Sequence, residues 1–340
     1  MKVVFRVDAS LEIGTGHVIR CLTLAHVLEK NGADIKFICR KHKGNLIDKI
    51  RLSGFNVQEL ETLEEVKIAN KLTHSNWLGV TQQQDASDCI DILRSVKTDY
   101  LIVDNYALDE NWHCKMKPYY EKLMVIDDLS DRKFDCDILL NQNLGSKKEA
   151  YINKVPRNCK LLLGSNYSLL RTEFSKLREV SLAKRAQTKA IKEILISMGG
   201  YDNNNLTYDI LENIGNGFNI IVTLGKKSPH NQMLENYAKN KKIKIIIDAD
   251  NMAELMLNAD LAIGAGGSTS WERCCLGLPT LLYITAENQK VIAKNLERMG
   301  AVKIVKNFKK DLHEIITNPS FWKSMSKNST TICDGLGVNR

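Results

Sequence analysis

Long hydrophobic runs are missing from this chain of 340 residues. None approaches the ~18 residues needed to cross a bilayer, so no membrane association is expected. No leader is expected either: "MKVVFRVDAS" runs straight into strand-like sequence, with no apolar core and cleavage site behind it. Cysteine occurs nine times but never as a C-x-x-C pair, which removes the usual zinc spacing. The odd number and scattered positions fit small buried hydrophobes in a reducing cytoplasm. Aromatic residues amount to only 6%, and the Lys and Arg behind the net charge of +8 are dispersed, not grouped beside aromatics. Nucleic acid is therefore a poor partner, and a small anionic ligand suits the moderate positive balance better.

What is present is alternation. "KVVFRVD", "DIKFICR", "DYLIVDN", "KLMVIDD" and "CDILLNQ" read as buried strands in the first half. "KEILISM", "FNIIVTL", "IKIIIDA", "ADLAIGA" and "PTLLYIT" repeat the pattern in the second. Helical stretches separate them, so the chain predicts βαβ units, parallel sheets and an α/β fold. That many strands favour two sheets over one. The polar, basic "SKLREVSLAKRAQTKA" (175–190) is expected to join a first domain, 1–178, to a second, 190–340. Ligands would bind outside the strand C-termini, in a cleft between two doubly wound domains.

Two glycine loops mark those C-termini. In "ASLEIGTGHVIRC", Gly14 and Gly16 precede a helix, but a dinucleotide fingerprint would need glycine where Ile19 stands. The second strand also ends in Cys39 and Arg40, not in an acid. NAD(P) is thus not expected. His17 sits at the start of that helix, whose positive end disfavours imidazolium. It could accept a proton or simply cap the helix, and spacing alone leaves both open. Arg20, one turn on, could orient an anion or stay at the surface, and Asp8 could hold His17 or the loop.

The second loop, "AIGAGGSTSWERCC", places Gly266, Gly267, Ser268 and Thr269 before another helix, a backbone cradle for phosphate. Glu272, one turn in, is a ribose-diol acceptor or only a stabilising first-turn acid. Met252, Ala253 and Met256 could wall a flat base or serve as core. Asn288 and Gln289 in "TAENQ" could bind sugar hydroxyls or acetamido groups, or cap a helix. Gly199 and Gly200 in "ISMGGYDNNNLT" and Leu224 at the end of "FNIIVTL" complete the candidate ligand-lining set. Together these features predict a nucleotide-sugar site.

"DASLEIGTGHVIRCLTLA", "DDLSDRKFDCDILLNQN", "LLGSNYSLLRTEF", "ISMGGYDNNNLT" and "GAGGSTSWERCCLGLPTLL" resemble the UDP-2,4-diacetamido-2,4,6-trideoxy-β-L-altropyranose hydrolases of pseudaminic acid biosynthesis, a route to flagellin glycosylation. The second half also resembles the bacterial N-acetylglucosaminyltransferase that makes lipid II, whose Thr-x-x-Glu corresponds to Thr269 and Glu272. The resemblance implies a GT-B-like fold of two Rossmann-like domains, with UDP held mainly by the second and no metal or cofactor. It implies cleavage of the anomeric C–O bond with inversion. His17 matches the family's catalytic histidine, and Tyr106 a tyrosine placed near the substrate. Tyr201 departs from the usual serine of "GGSD". A monomer acting on a small UDP-sugar is expected. The alternatives are a GT-B glycosyltransferase with a UDP-amino-sugar donor and a non-catalytic nucleotide-sugar sensor. A catalytic His17 requires its ring to be reachable by substrate.

Overall fold

The computed structural model describes residues 1–62, 72–95, 97–239, 241–287 and 289–340. They form two units, one of residues 1–169 with 338–340, the other of residues 170–337. The polar stretch expected to join the domains is a helix, Thr172–Gln187, inside the second unit. The chain passes from one unit to the other ahead of it, at Leu169–Leu170.

The first unit is built on β1 (Lys2–Val7), β2 (Asp34–Arg40), β3 (Asn56–Leu60), β4 (Tyr100–Asp104), β5 (Lys122–Ile126), β6 (Ile138–Asn141) and β7 (Lys160–Leu163). They lie side by side in the order β3-β2-β1-β4-β5-β6-β7, every pair parallel. Side chains alternate across a strand, so Val3, Phe5 and Val7 of β1 enter one core and Val4 another on the opposite face. Phe5 stacks on Phe37 of β2 at 4.8 Å between ring centres. Val338 returns to the first of these cores.

Arg6 shares the face of Val4, where an unpaired charge would be costly. Asp85, in the helix Gln82–Leu93, receives its Nη2 at 2.6 Å and its Nε at 3.2 Å. Arg40 Nη2 at 2.8 Å and the Trp112 indole N–H at 3.0 Å donate to the same carboxylate. Burial alone would raise the Asp85 pKa, but Arg6 and Arg40 outweigh it and hold it below the usual range. Removing one partner of such a network costs about 3–5 kcal/mol. Asp85→Asn is therefore expected to lower the urea midpoint sharply at pH 7. A depressed carboxyl stabilises above its unfolded pKa, so the gap to the wild type should narrow below about pH 4.

The second unit carries β8 (Glu193–Ser197), β9 (Asn219–Leu224), β10 (Ile243–Ile247), β11 (Leu261–Ala265), β12 (Thr280–Tyr283) and β13 (Lys303–Ile304). Their order is β10-β9-β8-β11-β12-β13, again parallel throughout. In each unit the strand order reverses direction once, between β1 and β4 and between β8 and β11. Loops leaving such a pair part to opposite faces and open a crevice at the carboxyl ends.

Candidate active site

In the first unit the crevice is filled by charge. Gly14, with φ +79°, closes a turn by donating its N–H to the Ser10 carbonyl at 2.9 Å. Gly16 then opens the helix Gly16–Lys30, whose N-cap, Thr15, makes no side-chain cap. His17 does not cap it either. Its Nδ1 lies 2.6 Å from Oδ1 of Asp104, the last residue of β4. Arg20 clasps the same carboxylate, Nε to Oδ2 at 2.6 Å and Nη2 to Oδ1 at 2.7 Å, and its Nη1 reaches Asp128 at 2.6 Å. The Tyr106 hydroxyl also donates to Asp128, and Asn143 Nδ2 donates to that carboxylate's other oxygen at 3.0 Å.

Burial opposes both charges of the central pair, yet each survives because of the other. Asp104 and Asp128 hold the Arg20 guanidinium well above its ordinary pKa. Arg20 and His17 hold the Asp104 carboxyl well below its own. Burial and Asp128 push the Tyr106 phenol well up, so it stays protonated. An ionised carboxylate only accepts, so the ring nitrogen facing Asp104, Nδ1, is the one that carries a proton, and in the neutral ring the lone pair falls on Nε2. Nε2 has no hydrogen-bond partner among the described residues.

The His17 ring is more enclosed than a catalytic role leads one to expect. Only 8% of the residue is exposed. The Tyr106 ring lies edge-on at 4.7 Å and the Trp77 ring at 6.3 Å, which accounts for much of the cover. Asp8 stands elsewhere. It accepts the Arg40 backbone N–H at 2.7 Å and Asn105 Nδ2 at 2.9 Å and pairs with Arg6 at 2.6 Å, so it pins the loop while Asp104 holds His17.

In the second unit the loops after β8 and β9 bring glycines together, and the loop after β11 carries two more. Gly199 takes φ +93°, and a Cβ on Gly225 would strike the Gly200 carbonyl. Gly266 and Gly267 lead through Ser268 into the helix Thr269–Cys275, and nothing lies within 4 Å of a Cβ built on Gly267. Ser268 is the N-cap but makes no side-chain cap, so its hydroxyl is not spent on the helix. Beneath the loop Arg273 is buried, donating to the Ala265 carbonyl at 2.6 Å and Ser270 Oγ at 3.1 Å. Burial without a carboxylate clasp lowers its pKa to about 10.

Glu272 is half-buried, and no hydrogen bond to its carboxylate is found among the described residues. Burial raises its pKa, partly offset by Arg171 and Arg273. Gln289 does stand beside the loop, its Oε1 3.7 Å from a Cβ built on Gly266. That oxygen is taken by the Thr285 N–H at 2.9 Å. Asn288 lies outside the described residues. Met252 is half-exposed, whereas Ala253 and Met256 are buried, so the wall imagined for a base is largely core. Leu224 is core as well, its carbonyl accepting from Asp248 at 2.8 Å. Tyr201 is half-buried just ahead of Asp202, which caps the next helix through the Leu206 and Thr207 N–H groups.

Asp104, Asp128, Asn143, His74 and Trp77 were not singled out from the sequence. The one available signal was an acid at the end of a buried strand, in "LIVDN".

Residues 172–331 match the model of the glycosyltransferase family 28 C-terminal domain. An uncharacterized protein of Methanocaldococcus jannaschii is 32% identical over 85% of this chain, which spans 57% of that protein's length. The UDP-2,4-diacetamido-2,4,6-trideoxy-beta-L-altropyranose hydrolase of Campylobacter jejuni is 28% identical over 88% of this chain and 97% of its own. Among solved structures, MurG of Acinetobacter baumannii superposes with a TM-score of 0.65 at 14% identity, over 99% of this chain and 97% of its own. UDP-GlcNAc 2-epimerase from Neisseria meningitidis gives 0.65 at 14%, over 100% and 98%. The chain thus has a GT-B-like fold of two parallel α/β sheets, and through residues 172–331 it is related to glycosyltransferase family 28.

Proposed function

We propose that this chain hydrolyses a UDP-linked 2,4-diacetamido-2,4,6-trideoxyhexose, releasing UDP and the free sugar for pseudaminic acid synthesis. The observation that carries this is the His17–Asp104 pair clamped by Arg20, a base with its proton fixed on one nitrogen and the other unpartnered. The likeness to the Campylobacter hydrolase along nearly its whole length supports the substrate class. Water gives a proton to His17 Nε2 as its oxygen bonds to the anomeric carbon. The bond from that carbon to the phosphate oxygen breaks, UDP leaves with the electron pair, and the configuration inverts. UDP is a good leaving group, so charge developing on the β-phosphate needs fixed dipoles more than a strong acid. The backbone from Gly266 to Thr269 supplies them, and Glu272 accepts from the ribose hydroxyls. No metal or cofactor enters the scheme.

The match to glycosyltransferase family 28 favours a second reading, in which an acceptor hydroxyl replaces water. Incubation with the diacetamido UDP-sugar alone separates the two. A hydrolase runs to completion with an inverted product by NMR, and a transferase stalls until an acceptor is added. UDP binding without turnover at any protein concentration would mean a sensor and would sink both.

A further inference from the structure

Beside His17 stands a set of rings that this mechanism leaves unused. The short turn Ser75–Leu78 buries Ser75 and Leu78 and leaves Trp77, with the preceding His74, half-exposed. Gly79, at φ +72°, ends the turn, and a Cβ there would press to 2.9 Å from the His42 ring. Trp77 stacks on Tyr106 at 5.7 Å, His74 lies 4.2 Å from Trp77 and 5.6 Å from Tyr106, and His17 is 6.3 Å from Trp77. The surface is therefore apolar and continuous with the base. It also carries an unused donor, because the Trp77 indole N–H has no hydrogen-bond partner among the described residues. Burial, working against Asp131, holds the His74 pKa below its ordinary value, so at neutral pH the ring adds no charge.

We propose that His74 and Trp77 form the seat of one acetamido group of the sugar, the ring faces taking its methyl and the indole N–H its carbonyl oxygen. This rests on the reading of His17 as the base of a UDP-sugar hydrolase. A plain sugar methyl would fit the rings but leave the indole donor idle, and a free ammonium would gain nothing from it. Among the substituents of the proposed sugar, only an N-acyl group offers an apolar end and a carbonyl acceptor together. Tyr and Trp side chains serve well where one end of a contact is apolar and the other polar.

The experiment compares the diacetamido UDP-sugar with the two analogues that each lack one acetyl group, using the full chain and its Trp77→Ala and Trp77→Phe variants. Trp77→Ala should lower kcat/KM for the diacetamido donor by roughly tenfold or more. It should leave one analogue, the one missing the seated acetyl, within about twofold of its wild-type value. Trp77→Phe, which keeps a ring and removes the donor, should fall between. UDP affinity should not change in either variant, and an unchanged circular-dichroism spectrum and melting temperature certify that the unit carrying the substitution is folded. Equal losses on all three donors, or no loss on any, would overturn the assignment while wild-type hydrolysis stood. Absence of wild-type hydrolysis would remove the parent reading and this one with it.

Discussion

His17→Phe should abolish measurable UDP release, with kcat falling by about 10²–10⁴-fold, the usual worth of a positioned general base. Phenylalanine keeps an aromatic ring against Tyr106 and Trp77 but has no nitrogen to receive the proton. The affinity for UDP should persist, since the anchors proposed for it are on the loop after β11 and the helix it opens. Isothermal titration with UDP and a coupled UDP-release assay on the same preparation read the two quantities. Retained turnover would exclude His17 as the base. Its low exposure makes this a demanding test, because Nε2 is the only nitrogen left for a proton.

Asp104→Asn should be nearly as damaging, for a different reason. An amide in place of the carboxylate can turn its NH₂ toward Nδ1, and the imidazole then carries its proton on Nε2, where a lone pair is needed. A comparable change in a Ser-His-Asp triad lowers kcat by about 10⁴-fold, and a loss on the order of 10³-fold or more is expected here. Arg20 also loses its charged partner, so some stability goes with the rate. The control is Arg20→Lys, which keeps the charge but not the two-pronged clasp. It should weaken turnover less than Asp104→Asn while moving the melting temperature in the same direction. Should Asp104→Asn cost only stability and leave kcat unchanged, the carboxylate is a structural clamp and not the orienter of His17.

The ten strands predicted from alternating apolar runs all form, and their division into two sheets was within reach of the strand count. β3, β7 and β13 escaped because their sequences say little. "NVQEL" is mostly polar edge, "KLLL" has four residues, and β13 has two. The partner of His17 escaped for a deeper reason. Asp8 is nine residues away in sequence and Asp104 is 87. Only the placement of β4 against β1 brings Asp104 to the helix, and strand order is a property of pairing that apolar periodicity does not encode. The glycine loops were recognisable because turns depend on local chemistry. Leu224, Ala253 and Met256 were not assignable, since apolar side chains at a loop edge carry the same pattern whether they meet a ligand or the core.

Residues 338–340 rejoin the first unit, with Val338 in its core and Arg340 donating to the Asn166 carbonyl. The second unit is therefore nested within the first, not strung after it. During synthesis Val338 can take its place in the first unit's core only after residues 170–337 have been made. Two stretches of polypeptide, not one, cross the frontier, so after a single protease nick at Leu169–Leu170 only the noncovalent hold of Val338 and Arg340 still ties the fragments together.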